Sequence, residues 1–291
     1  MDMNISEYNA FGPWIYEISD KYPVPLIFRD YVKDLTSHLM LIKIPVEAER
    51  RNLKPGMNMY DYVIGLYENH IHVYKNVSNA VAETVISYKD VLAVEHSINL
   101  LRSELKIYTG SELFSIVYNT SSEPVIHKLI KIIREKTTEN TGPNESDNYE
   151  TSSGNFCFFF KSILRLMEHR ESGFKVIGSQ EETDIKFLKR TLLKNIIEKL
   201  LKPYLPGSLH VINPKELIIV SRGEDNFYRR YANHGYSYIY LPISNILEIR
   251  KMKSEIFNEV NDYKIRLRGH EFTIPVHSKN KDLGYLDKLK S

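Results

Sequence analysis

Apolar and polar residues alternate through much of this chain at a period of two, the spacing of a half-buried β-strand. That period predicts strands at about residues 39–46, 62–67, 71–74, 84–88, 91–97, 103–109 and 112–118. It predicts them again at about 174–177, 208–212, 216–220, 236–241, 246–250, 263–267 and 271–276. The polar corner Glu68-Asn-His70 and the pair Asn213-Pro214 supply hairpin turns. Elsewhere the period becomes helical. Pro124–Arg134 places Val125, Ile126, Leu129, Ile130, Ile132 and Ile133 on one wide face. Phe158–Glu168 reads as a second helix, and Thr183–Lys202 as a longer one stopped by Pro203 and Pro206. Asp282–Lys290 is a short closing segment of the same kind.

Two of these stretches follow one pattern. Tyr88-Lys-Asp-Val-Leu-Ala-Val94 aligns with Ile243-Ser-Asn-Ile-Leu-Glu-Ile249, Lys106-Ile107 with Lys264-Ile265, and Phe114-Ser-Ile116 with Phe272-Thr-Ile274. An internal repeat of this length implies one β-rich module used twice. Between the copies, Lys136–Asn155 is polar and has almost nothing apolar to bury, so it cannot offset its ordering entropy. The organisation expected is therefore an N-terminal extension with a first domain over 1–136, a flexible linker over 137–154, and a second domain over 155–291 with an inserted amphipathic helix. Proteolysis in the linker is expected to release two folded fragments.

A strand hairpin, a strand carrying Tyr88-Lys-Asp-Val-Leu-Ala-Val94, two strands joined at Gly110, then an amphipathic helix: this order resembles the bacterial pleckstrin-homology-like domains, relatives of the PH and GRAM superfold. In the second copy the resemblance rests on Tyr240–Ile249, Lys264–Gly269 and Phe272–Ile274. It covers roughly 39–135 and 173–290, the second copy departing through its extra helix and its glycine-broken last one. The resemblance implies an α+β, β-dominated fold of tandem PH-like bent antiparallel sheets or partly open barrels, each with a C-terminal capping helix. It also implies a binding role, since such modules hold phosphoinositides, peptides or other domains, while fold alone does not fix function.

Composition narrows the reading. With 39 basic against 37 acidic residues in 291, the chain offers no global field to hold nucleic acid, which makes that partner unfavoured. The single cysteine, Cys157, excludes an internal disulfide framework and a multi-cysteine zinc site, and fits a reducing, cytoplasmic setting. The first residues carry no positive region followed by an apolar run, so no secretory signal is expected. The longest apolar run, Phe156-Cys-Phe-Phe-Phe160, is too short to cross a bilayer.

Candidate chemistry is sparse. In Thr183–Lys202 one face carries Leu188, Leu192, Leu193, Ile196 and Ile197, and the other Lys186, Lys189, Arg190 and Lys194. Such a helix either lies on an anionic membrane or packs on a core with its basic side in water. Arg229, Arg230 and Tyr231 form a basic–aromatic loop suited to phosphate or stacking, with Glu224 and Asp225 cutting its charge. Tyr236, Tyr238 and Tyr240 share a sheet face, either as a stacking platform or as packing. Phe156–Phe160 inserts into a partner groove or docks on its own domain. His70 and His72 share a strand face without a third metal ligand at a recognisable spacing. Gly110 and Gly269 each occupy a hairpin turn, where positive φ is the simple explanation. Cys157 sits in an apolar run, where a thiol's nucleophilicity is suppressed. No His-Glu-x-x-His, Gly-x-Ser-x-Gly or phosphate-binding loop occurs. The expectation is a non-catalytic adaptor without a cofactor that engages a protein partner, with anionic membrane bound through the basic helix 183–202 as the alternative and an uncharacterised enzyme as the least favoured reading.

Overall fold

Val, Ile, Tyr and Phe at period two form strands because branched and aromatic side chains pack well on a pleated, half-buried surface. The computed structural model describes residues 7–9, 11–33, 35–110, 112–139, 141–142, 152, 156–188, 203–223 and 235–289. Among them the first half of the chain carries β1 (Met40–Pro45), β2 (Tyr60–Leu66), β3 (His70–Val77), β4 (Ala80–Ser87), β5 (Val91–Asn99), β6 (Arg102–Thr109) and β7 (Leu113–Asn119). Helix α1 (Glu123–Thr137) follows β7, and α2 (Phe158–Arg170) opens the second half. Then come β8 (Lys175–Gln180), β9 (Ser208–Ile212), β10 (Glu216–Arg222), β11 (Tyr236–Pro242), β12 (Glu248–Lys253), β13 (Val260–Arg266) and β14 (Glu271–His277). The fold is β-dominated, with several antiparallel sheets, and among the described residues none closes into a barrel.

Two compact units divide the described residues, and they interleave along the chain. Unit one takes Met1–Val91, Leu100–Thr109 and Leu113–Glu139; unit two takes Leu92–Asn99, Gly110–Glu112 and Asn140–Ser291.

In unit one, Tyr16–Glu17 and β1 to β4 form an antiparallel sheet in that order. The β3–β4 register runs from His70↔Ser87 to Val77↔Ala80. Ser78 (φ 52) and Asn79 (φ 69) turn it, and two left-handed residues match the twist of a tight hairpin. Phe11, Phe28, Leu41, Met59, Val63 and Tyr74 cluster in its core. Strands β6 and β7 form a second hairpin, with Lys106 opposite Ser115. Helix α1 starts with Pro at its first turn and buries Ile126, Leu129, Ile130 and Ile133. Each of those side chains contributes roughly 1.5–3 kcal/mol of burial, an upper figure because the unfolded chain already hides some surface.

In unit two, β5 from the first half of the sequence pairs with β11, from Tyr236↔Ile98 to Tyr240↔Val94. Strands β11, β10, β9 and β8 continue as an antiparallel meander. A separate sheet holds β12, β13 and β14. The repeat is visible in the backbone: Tyr88–Asp90 and Ile243–Asn245 are both 3-10 turns, each followed by a strand. Val91 and Ile246, aligned in the sequence, are both buried.

Three expectations need correction. Thr183–Phe187 is extended rather than helical: Thr183–Asp184 pairs with Tyr204–Leu205, and Lys186–Phe187 pairs with Phe257–Asn258. Ile185 and Phe187 point into a cluster with Leu205, Phe257 and Val260, while Asp184 and Lys186 face out, which is a period of two. The remainder of that predicted helix, 189–202, lies outside the described residues. The second copy has no closing α-helix among the described residues; a 3-10 turn over Gly284–Asp287 takes its place. So short a segment, opened by a glycine, gains too few hydrogen bonds to offset helix nucleation. Finally, Gly269 has φ 84, but Gly110 is not in the left-handed region. A Cβ on Gly269 would stand 2.8 Å from the Gly110 carbonyl oxygen, so close approach as well as φ selects glycine there.

Candidate functional site

Two concave surfaces in unit one gather polar and aromatic groups. The larger is an open cleft of about 740 Å³ beside β3. Alternation along β3 places His70, His72 and Tyr74 on one face, and the hairpin register brings Glu83 of β4 opposite Tyr74. Tyr67 stacks on His70 with ring centroids 5.0 Å apart, and Tyr74 stacks on His72 at 4.1 Å. Glu83 Oε2 lies 3.1 Å from His72 Nε2, and the Tyr74 hydroxyl lies 3.1 Å from His72 Nδ1. An ionised carboxylate only accepts, so Nε2–H donates to Glu83 and, in the neutral ring, Nδ1 accepts from Tyr74. Asp30, Tyr31, Lys33 and Glu68 complete the wall. Asp30, Glu68 and Glu83 stand near Lys33, but Glu68 is ion-paired with Lys136 and Glu83 bonds His72, so the cleft keeps a modest acidic balance that suits cationic or neutral hydrogen-bonding groups better than phosphate. The Ser78-Asn79 turn makes Glu83 legible through the register, and the Glu68-Asn69 corner sets Tyr67 beside His70, signals the strand-face reading of the histidine pair passed over.

The smaller surface is an apolar groove of about 310 Å³. Pro13, Ile15, Ile44, Val46 and Val117 line it, with Leu101 and Arg102 at the start of β6. Leu100 (φ 43) and Leu101 are 69% and 75% exposed, and Trp14, next to Pro13, is 45% exposed. Arg102 Nε sits 3.5 Å from Glu47, so the charges around the groove are partly matched. On one side β7 pairs with β6; among the described residues no strand pairs with its other side.

Unit two contains a buried polar line. His210 is fully buried, with Ser208 Oγ 3.0 Å from Nε2 and the Tyr285 hydroxyl 2.5 Å from Nδ1. Burial pushes the imidazole pKa down to about 3, so the ring stays neutral and satisfies one partner as donor and the other as acceptor. Serine, histidine and tyrosine in this order look like an acyl-transfer relay. All three are buried, so the arrangement ties the Gly284–Asp287 turn to β9.

The sequence-predicted residues fare unevenly. Lys186 is exposed on its short strand. Lys189, Arg190, Lys194, Arg229, Arg230 and Tyr231 lie outside the described residues. Tyr238 and Tyr240 are buried and stacked, with ring centroids 5.8 Å apart, so these rings are packing and not an open platform. Phe160 is buried while Phe158 is 80% exposed, and Phe159 packs edge-on against Tyr236. Cys157 is exposed, contrary to the apolar surroundings expected of it. His70 and His72 meet in the cleft, yet among the described residues no group of three His, Cys, Asp or Glu side chains is placed to hold a metal ion. Among the same residues no helix is long and apolar enough to cross a membrane. No protein-family model matches the chain, and no curated protein matches it in sequence.

Proposed function

We propose that this chain is a non-catalytic binding protein built from two PH-like units, and that its ligand is another protein. Support for the class comes from the order of the strands of five or more residues: four, a 3-10 turn and three further strands in each half, with a helix closing the first. The observation that carries the protein partner is the groove beside β7. A strand edge that no other described strand pairs, with an apolar groove at its Val117–Asn119 end, is an arrangement suited to an extended peptide added as a strand, its side chains reaching the groove. Trp14 and Leu101, exposed beside it, are side chains of the kind that anchor protein interfaces. The carboxylate-lined cleft disfavours a phosphorylated lipid headgroup on the same unit.

Selection from a displayed peptide library tests the reading. Peptides with apolar residues at alternate positions are expected to enrich. Their binding should slow hydrogen exchange over Leu113–Asn119 and fall at least tenfold in Leu101→Asp or Val117→Glu, about the loss of one well-packed contact. Flotation with phosphatidylserine vesicles is the opposing arm. Salt-sensitive recovery lost in Lys189→Glu/Arg190→Glu/Lys194→Glu, but kept in Leu101→Asp, would replace the protein partner with a membrane surface.

A further inference from the structure

The repeat makes one pairing in the fold informative about a second that the single chain leaves unmade. Counting strands of five or more residues, the fourth and fifth in each half of the sequence flank the 3-10 turn: β4 and β5 flank Tyr88–Asp90, and β11 and β12 flank Ile243–Asn245. The fifth strand of the first half, β5, is paired along its edge by the fourth strand of the second half, β11. The equivalents of those two strands are β12 and β4. Among the described residues β12 pairs only with β13, and β4 only with β3, so one edge of each is paired by no described strand. Side chains agree with the backbone. Leu92, beside the covered edge, is 4% exposed, whereas its repeat equivalent Leu247 is 57% exposed. Val85 on β4 and Met252 on β12 are also exposed, at 59% and 44%.

We propose that molecules of this protein associate head to tail, β12 of one copy pairing antiparallel with β4 of the next as β5 pairs with β11. The repeat alignment fixes the register. Tyr240↔Val94 becomes Val85↔Ile249, Ile239↔Glu95 becomes Thr84↔Arg250, and Tyr238↔His96 becomes Glu83↔Lys251. The apolar pair then faces the apolar pair, and the one acidic residue of β4 meets a lysine of β12, an opposite-charge cross-strand neighbour. Lys251 now lies 3.1 Å from Asp287 and Glu83 3.1 Å from His72, so the new pair forms by exchanging exposed partners. Self-pairing of β12 is disfavoured, since Arg250, Lys251 and Lys253 of one copy would be brought alongside the same basic residues of the other. Basic residues on an edge commonly guard it against indiscriminate pairing; here they leave the acidic strand as the fitting occupant. A contact between two different patches is heterologous and extends into a ring or a filament. Neither the β7 groove nor its peptide takes part in this association.

Directed crosslinking tests it in the full chain with Cys157→Ser. Two proteins, one carrying Thr84→Cys and the other Arg250→Cys, are mixed and oxidised. The expected product is a mixed disulfide, with little product from either protein alone. Sedimentation of the unmodified chain up to about 100 µM, a range that reaches weak interfaces, should show mass rising with concentration. Association should weaken roughly tenfold in Lys251→Glu or Glu83→Lys and return in the double exchange. A monomer throughout that range, or disulfides formed as readily by Thr84→Cys or Arg250→Cys alone, overturns the proposal.

Discussion

His210 shows how much one side chain can hold when its polar atoms have no access to water. The fully buried ring binds Ser208 and Tyr285, and burial lowers its pKa from the ordinary 6.5 to about 3. Between those values the unfolded chain binds a proton that the folded chain refuses, so the sign is definite. Stability from this group is complete above pH about 6.5 and falls as the pH drops towards 3, by up to about 1.4 kcal/mol per unit. His210→Gln is expected to lose about 1–3 kcal/mol at neutral pH, because Ser208 and Tyr285 are left with poorer partners. It should also lose that acid sensitivity. Urea unfolding of both proteins between pH 7.5 and 4.5 checks this: the gap between them should narrow as the pH falls. A constant gap would mean that the ring is not held neutral by the fold. Lys43 follows a related logic. It is buried, its ammonium donates to the Pro23 carbonyl at 2.9 Å and lies 4.7 Å from the Tyr60 ring centroid, and burial pulls its pKa down. Nothing in the sequence around Lys43 sets it apart from the other lysines, because its surroundings come from distant residues.

At the scale of elements, the close approach of backbone at Gly178 is a tight constraint. A Cβ there would stand 2.6 Å from the Asp282 carbonyl oxygen and 2.7 Å from Leu283, so β8 accepts the C-terminal turn only through a residue without a side chain. Gly178→Ala is expected to cost about 1–3 kcal/mol by overpacking. It should speed hydrogen exchange over β8 and β9, while Gly142→Ala, with nothing near its Cβ, should not. The strands themselves were legible because a period of two names the buried face. Partner choice was not, since the period is blind to which strand lies alongside; hence β5 beside β11 was invisible. Thr183–Phe187 was misread because the leucines further on extend a helical pattern back over a segment whose own alternation, Ile185 and Phe187 in, is that of a strand. In the cleft, the shared face of His70 and His72 was readable, whereas Asp30, Tyr31 and Lys33 arrive by tertiary folding from an irregular segment. The groove was unreadable for the same reason: its walls come from residues 13, 15, 44–49, 101–102 and 117–119.

For the whole molecule, the interleaving of the two units sets what a piece of the chain can do alone. Unit two includes Leu92–Asn99, yet a cut in the 137–154 segment would leave those residues on the other fragment. A fragment beginning at residue 155 would therefore present β11 with one edge bare, next to Tyr238 and Tyr240, which are only 2% and 6% exposed in the full chain. An uncovered, apolar edge is a site for unspecific pairing. The fragment is expected to aggregate or to melt well below the full chain, in contrast to the independently folded half that the sequence repeat suggests. A synthetic peptide covering Asp90–Leu101 should raise its melting temperature in proportion to the logarithm of peptide concentration, as any ligand of the folded state does. The same residues in scrambled order should not, because a strand out of register presents its apolar side chains to the wrong face. A fragment as stable as the intact protein, and indifferent to the peptide, would show that β5 adds nothing to unit two and that its pairing with β11 is incidental.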